Sequence, residues 1–176
     1  MFSRKLKIAY GDYLDEAVYG ANDGIITTFA VISSATGATL GGEAIIILGL
    51  ADLVADGFSM GASSFLSIRT EEDVQRLRSF WKSKNSDALS RSLTTFGAFV
   101  VAGSIPLIPF VSVAAIGNEF MISAVAAGIA FFVVGGSRTI ITKRGFFISG
   151  LEMLIVGGIA ALLAYSIGYI IHSGLA

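Results

Sequence analysis

Cysteine is absent from this chain, which excludes disulfides and thiolate metal sites and leaves the compartment unmarked by redox chemistry. Histidine occurs once, at His172 near the chain end. No Gly-rich phosphate loop, zinc signature or nucleophile–base pair of the common enzyme kinds is present. Charge is scarce as well: Asp, Glu, Lys and Arg make up 14% of the 176 residues and nearly cancel at a net −1. That balance gives no basis for binding nucleic acid or an acidic partner. Repeats, low-complexity tracts and a second domain are all lacking. The N-terminal stretch MFSRKLKIAYGDYLDE has no compact apolar core or small-residue cleavage site, so it is expected to be retained rather than removed as a signal peptide.

What the chain does have is apolar surface. Hydrophobic residues reach 54% and the mean hydropathy is +0.78, values that belong to an integral membrane protein. Crossing ~30 Å of hydrocarbon takes about 20 helical residues at 1.5 Å each. Five stretches are long enough, at roughly 14–36, 44–68, 92–113, 118–137 and 146–171. The expected fold is therefore an all-α membrane protein with five transmembrane helices in a single domain. Between the second and third stretches lies the polar segment 69–91, RTEEDVQRLRSFWKSKNSDALSR, where Val74, Leu77, Phe80 and Trp81 recur at three- and four-residue spacing. That pattern predicts a short amphipathic helix on the membrane surface.

All twelve basic residues fall in three places: Arg4, Lys5 and Lys7 at the N-terminus; Arg69, Arg76, Arg78, Lys82, Lys84 and Arg91 in the polar segment; Arg138, Lys143 and Arg144 in the fourth connection. These alternate with connections that carry none. The positive-inside rule then puts the N-terminus in the cytoplasm and the C-terminus outside.

Chemistry has to come from carboxylates within the spans. Asp12, Glu16 and Asp23 are separated by four and seven residues, so at 100° per residue they fall within about 40° of one another on the first helix. The stripe runs from the cytoplasmic interface to mid-membrane, and Thr27 continues it. On the second helix, in LGLADLVADGFSMGASSFLS, Asp52, Asp56, Ser59 and Ser63 share one side with Met60 at its margin. A carboxylate at mid-bilayer costs about 2.5 to 3.5 kcal/mol on insertion scales and usually marks a pathway. The plainer alternative is that each Asp caps a broken helix or meets a neighbouring hydroxyl. A break is expected at GANDG, where Asn22 and Gly24 disfavour continuous helix. Gly20 with Gly24, and Gly57 with Gly61, make small-xxx-small faces for close approach, either within one subunit or across a dimer.

Counted from the cytoplasm, Asp23 lies ~14 Å deep and Met60 ~12 Å deep, so the two share a level. A soft thioether with hard carboxylates suits a borderline divalent transition metal such as Fe²⁺. Alternatively Met60 only fills a gap in apolar packing.

The runs EAVYGANDGIITTFAVISSATGA and GLADLVADGFSMGASSFLSIRTEED resemble the first two helices of the vacuolar iron transporter family. GSIPLIPF and SGLEMLIVGGIAALLAYSIGYII are similar to its third and last helices, in the same order. The resemblance implies a homodimer of five-helix protomers with an ion path between the first two helices of both subunits. It also implies export of Fe²⁺, and of Mn²⁺, from the cytoplasm in exchange for protons, with no cofactor. Carried over, it makes Asp23 and Met60 the membrane metal ligands and places Asp12, Glu16 and Asp52 along the path. Asp52 stands where family members often have Glu. Asp56, one turn from Asp52, is a candidate for proton coupling. The long cytoplasmic metal-binding insertion of eukaryotic iron-storing members is missing. Glu71, Glu72 and Asp73 remain at its start, for metal capture or as a solvated acidic turn.

The expected partners are thus a divalent metal ion, protons, membrane lipid and a second copy of the chain. The expected location is a cell membrane in a prokaryote, or an organelle membrane in a eukaryote. The opposing readings are a membrane-embedded enzyme that uses the carboxylates and a metal sensor that never transports. The topology is testable directly. Reporter fusions at residue 85 and at residue 176 should give opposite signals, and same-side signals would contradict an odd number of spans between the N-terminal side and the end of the chain.

Overall fold

In a computed structural model, residues 2–78, 87–112, 117–142 and 144–175 are described. Side chains are described from Gly11 onward, with Asp12, Arg78, residues 141–142 and residue 175 excepted. The fold is all helical, with no strand among the described residues. Five long segments follow one another: α1 (Phe2–Gly37), α2 (Gly42–Arg78), α3 (Ala88–Ser104), α5 (Glu119–Ser137) and α7 (Phe146–Leu175). Two short helices, α4 (Ile108–Ser112) and α6 (Thr139–Thr142), lie in the connections. A 3₁₀ turn, Ile105–Leu107, carries α3 into α4. Pro106 and Pro109 lie in this stretch, and each withholds a backbone N–H, which interrupts regular helical bonding there.

Four segments are long and apolar enough to cross a membrane: Gly42–Leu77, Ala88–Ser112, Glu119–Ser137 and Phe146–Gly174. The fifth expected span, within α1, is long enough but too polar to meet the same standard. Its place in the bundle accounts for this. From Gly20 to Gly37 no residue of α1 is exposed, because α2, α3, α5 and α7 all pack against it. A helix walled by protein can carry Asn, Asp, Thr and Ser where a lipid-facing one cannot. By contrast α7 turns most of its length outward, with Ile155, Ile159, Leu162, Leu163 and Ile170 all more than half exposed.

Two features differ from expectation. GANDG does not break α1, which runs without interruption from Phe2 to Gly37. Nor do residues 69–78 form a separate surface helix; they prolong α2. No Gly or Pro follows Ser67 to stop it, and local side-chain pairs support the extension: Gln75 donates to Glu71 at 3.2 Å and Arg76 lies 3.7 Å from Asp73. Such pairs at three- and four-residue spacing add tenths of a kcal/mol each to an exposed helix. Leu77 is 89% exposed, so no apolar seam covers it. Phe80 and Trp81 lie outside the described residues.

The small-residue faces close contacts inside one protomer. A Cβ on Gly20 would overlap the carbonyl of Thr95, and one on Gly24 that of Phe99. Gly57 and Gly61 face the side chain of Phe96, 3.2 Å from where their Cβ atoms would be. Both motifs therefore seat their helices on α3. Above and beside this crossing are two apolar clusters. One joins α1, α3, α5 and α7 through Ile25, Phe29, Ala102, Phe131 and Met153. The other joins α1, α2, α3 and α4 through Ile32, Ile45, Leu53, Phe99 and Phe110.

Gly24→Leu should then separate α1 from α3 and destabilise the detergent-solubilised protein by at least about 1–3 kcal/mol, the range for overpacking. Gly158→Ala, where a Cβ meets nothing within 4 Å, should leave thermal unfolding unchanged or slightly raised. Equal melting temperatures for all three proteins would contradict the close α1–α3 contact.

Candidate metal pathway

The acidic side chains of α1 and α2 are brought together by an antiparallel register that two hydrogen bonds define. Ser64 Oγ donates to Glu16 Oε2 at 3.1 Å, and Thr28 Oγ1 donates to Asp52 Oδ2 at 3.0 Å. A twelve-residue step up α1, from 16 to 28, is thus matched by a twelve-residue step down α2, from 64 to 52. The same register sets Asp23 level with Gly57 and Met60 level with Gly20, an axial offset of three residues, or about 4.5 Å. Side chains lean toward the N-terminus of their own helix. Because the helices run in opposite directions, Asp23 and Met60 lean toward each other, which narrows that offset.

Asp23, Asp52 and Asp56 lie within electrostatic reach of one another, and none of them makes an ion pair among the described residues. Asp23 and Asp52 are half-buried, while Asp56, Ser59 and Ser63 are exposed. Thr27, expected to continue the stripe, turns its hydroxyl back to the Asp23 carbonyl at 2.9 Å. No three His, Asp or Glu side chains among the described residues converge closely enough to hold an ion by themselves.

Glu16 is engaged differently. Its Oε1 takes a 2.8 Å contact from an Arg91 Nη2, and its Oε2 accepts Ser64 together with Thr95 Oγ1 at 2.7 Å. Three helices are therefore pinned on one carboxylate. Beside it opens a cleft of about 440 Å³, lined by Glu16, Tyr19, Ser59, Met60, Ser63, Ser64 and Glu71, among others. Met60 has two environments at once: it faces this cleft and packs against the apolar cluster of Leu53 and Phe99. Of the acidic trio at positions 71–73, Glu71 reaches the cleft, Glu72 is half-buried, and Asp73 is turned to Arg76. The side chain of Asp12 lies outside the described residues.

Four residues had escaped notice as parts of the site: Thr28, Ser64, Arg91 and Thr95. Arg91 counts among the basic residues that orient the chain, which hides its second task. A signal was present, since Arg91 and Thr95 are four apart on one face of α3 and Ser64 is four from Met60; spacing within one helix does not say which neighbour it meets.

Comparison with known proteins adds an independent line. The sequence model of the VIT family matches residues 14–79 and 77–169. The chain is 25% identical to a vacuolar iron transporter of Toxoplasma gondii, over 92% of this chain and 75% of that protein. It is 24% identical to vacuolar iron transporter homolog 2.1 of Arabidopsis thaliana, over 92% of this chain and 82% of that protein. A vacuolar iron transporter of Plasmodium berghei is 36% identical over a shorter match, 42% of this chain and 28% of that protein.

The two kinds of carboxylate should separate in stability measurements. Glu16→Gln leaves Arg91, with its side chain 26% exposed, without a counter-ion. It should cost roughly 1.5–3 kcal/mol, the range for a hydrogen bond to a charged group, and less than the loss of a fully buried pair. Asp23→Asn removes no ion pair and should leave the melting temperature close to that of the unaltered protein. The reverse order would show that Glu16 is not the structural hub described.

Proposed function

The chain belongs to the VIT family, and on that premise we propose that it exports Fe²⁺, and also Mn²⁺, from the cytoplasm in exchange for protons. That it is a multi-pass membrane protein follows from its apolar helices and its family. As a family member it is a transporter of metal ions, not an enzyme, and the metal is cargo rather than cofactor.

The observation that carries the finer reading is the set of three mutually interacting carboxylates, Asp23, Asp52 and Asp56, with no ion pair among the described residues. Three like charges in a low-dielectric setting repel strongly unless protons or a cation sit among them. A divalent ion entering from one side displaces protons, and protons returning from the other side displace the ion. Exchange follows from that competition. Ordered by the α1–α2 register, the path runs from Asp12 and Glu71 at the cytoplasmic mouth, past Glu16, to Asp23 and Met60, with Asp52 beyond. Asp56 is assigned to proton coupling. Glu72 and Asp73 contribute capture at the mouth only through their general negative field.

A second copy completes the site. Tyr19 is 63% exposed, and Asp56, Ser59 and Ser63 are exposed beside it, a polar face that is costly against lipid. In a two-fold dimer the same face meets itself. Two Asp23 carboxylates and two Met60 thioethers then surround one ion, with water completing its shell. The orientation adopted is the one the basic residues dictate, N-terminus in the cytoplasm and C-terminus outside.

Proteoliposomes with an imposed proton gradient test the reading. Wild type should take up Fe²⁺, its analogue Co²⁺, and Mn²⁺, and the uptake should collapse with the gradient. Asp23→Asn should abolish transport in inserted, dimeric protein, because the amide keeps size but loses charge. Met60→Leu should cost Co²⁺ more than Mn²⁺, since the harder ion loses less when sulfur is withdrawn. Full activity in Asp23→Asn would remove the central claim, and equal losses in Met60→Leu would leave Met60 as packing alone.

A further inference from the structure

One contact that helps to hold the fold has no part in the transport reading: the path's own carboxylate at position 16 is already occupied by a cation, the guanidinium of Arg91. We infer that Arg91 is a tethered stand-in for the metal, holding Glu16 while the path is empty and yielding it when a divalent ion enters. This rests on the transport reading and assigns Arg91 as a positioning residue that sets the threshold for entry.

The geometry has the marks of a releasable pair. A locked arginine–carboxylate pair is bidentate, with two parallel N–H groups on two oxygens. Here only one nitrogen, Nη2, contacts one oxygen, Oε1, at 2.8 Å. Nε of the same guanidinium is buried and has no hydrogen-bond partner among the described residues. Arg91 is thus held by one arm, with part of its donor capacity unspent.

What surrounds the pair fits an exchange of cations. The second oxygen of Glu16 accepts from two hydroxyls, Ser64 at 3.1 Å and Thr95 at 2.7 Å. Hydroxyls are donors to an anion but also carry lone pairs, so the same two groups turn to face a metal bound at Glu16. The pair is partly shielded, with side-chain exposures of 26% for Arg91 and 14% for Glu16, and it borders the cleft of about 440 Å³. That volume accepts a hydrated ion. Glu71, on the wall of the same cleft, offers the displaced guanidinium a new acceptor. A monovalent cation on a tether meets a divalent one at the same carboxylate, and the balance between them decides which ions pass the mouth.

The test is the response of apparent affinity to the tether. In proteoliposomes, Arg91→Gln should lower the KM for Mn²⁺ by at least about tenfold, the equivalent of one competing charge-assisted hydrogen bond. Arg91→Lys keeps the charge and should return the KM to within about threefold of wild type. A purely structural Arg91 predicts the opposite, an unchanged or raised KM in Arg91→Gln with lysine no better than glutamine, and that result overturns the inference. Should Arg91→Gln fail to insert, wild-type protein decides. Labelling of Arg91 by phenylglyoxal, read by peptide mass, should accelerate when Mn²⁺ is added, because the metal frees the guanidinium; unchanged or slower labelling overturns the inference. A wild type that takes up no metal at all would instead be the failure of the transport reading, visible before any variant is made.

Discussion

A polar helix can stand in a membrane only if protein, not lipid, surrounds it, and the arrangement of this bundle follows from that requirement. Between Gly20 and Gly37, α1 carries Asn22, Asp23, Thr27, Thr28, Ser33, Ser34 and Thr36, a set whose exposure to hydrocarbon would cost several kcal/mol. Each neighbour answers part of it. Ser33 and Thr36 return their hydroxyls to α1's own carbonyls at 2.7 and 2.8 Å, and Thr28 finds Asp52 on α2. Close approach by α3 and α7 does the rest. It is permitted on one side by Gly20 and Gly24, and on the other by Gly37 and Gly168, where an added Cβ would strike the carbonyl of Tyr165 or Ser34.

The same requirement divides labour among the other helices. α7 faces outward over much of its length and is accordingly rich in Ile and Leu, so it acts as the bundle's interface with lipid. α3 is the helix on which α1 and α2 both rest, through Thr95, Phe96 and Phe99. α2 has a foot in each world: Leu53 and Gly57 are buried, whereas Asp56 and Ser59 are exposed. This split leaves a polar strip of α2 exposed, the face that the proposed dimer covers. A hydrophobic-moment argument for α2 would miss it, because apolar residues line the lipid-facing side and the packed side alike while polar ones form a narrow strip between them.

How much of this was legible in the sequence depends on what each residue has to meet. Four of the long segments could be read from length and apolarity, since both depend on bilayer thickness rather than on neighbours, whereas the polar stretch of α1 is tolerated only because of its neighbours. The expected break at GANDG failed because propensity describes an isolated helix. In place, Gly24 is not a weak point but the contact surface for Phe99, and packing outweighs a cost of about 1 kcal/mol. At 69–78 the structure continues α2 rather than starting a separate surface helix, for a related reason: spacing detects a helical face but cannot say whether the helix is new or a continuation. Among the candidate site residues, Asp23, Asp52 and Met60 stood out through their spacing on single helices. Arg91 and Thr95 did not, because their partner Glu16 is more than seventy residues away and only the register of three packed helices brings them to it.

That register also explains why two acidic residues seven apart on one face serve such different ends. Glu16 meets a level of the bundle where α3 begins, at a point where a basic residue on that helix's first turn reaches inward. Its charge is balanced inside the protomer, and its contribution is to hold α1, α2 and α3 together while remaining open to the cleft. Asp23 sits two turns deeper, beside the close α1–α3 contact at Gly24. There α3 meets α1 and α2 through Phe96 and Phe99, which offer no counter-charge, and Asp56 and Asp52, of the same sign, lie within electrostatic reach of Asp23. A carboxylate balanced within its own chain adds to the fold. One placed among like charges gains no such balance from the described residues, and in the proposed transport the cargo ion supplies it; the difference between the two positions is set by how far α3 extends along α1.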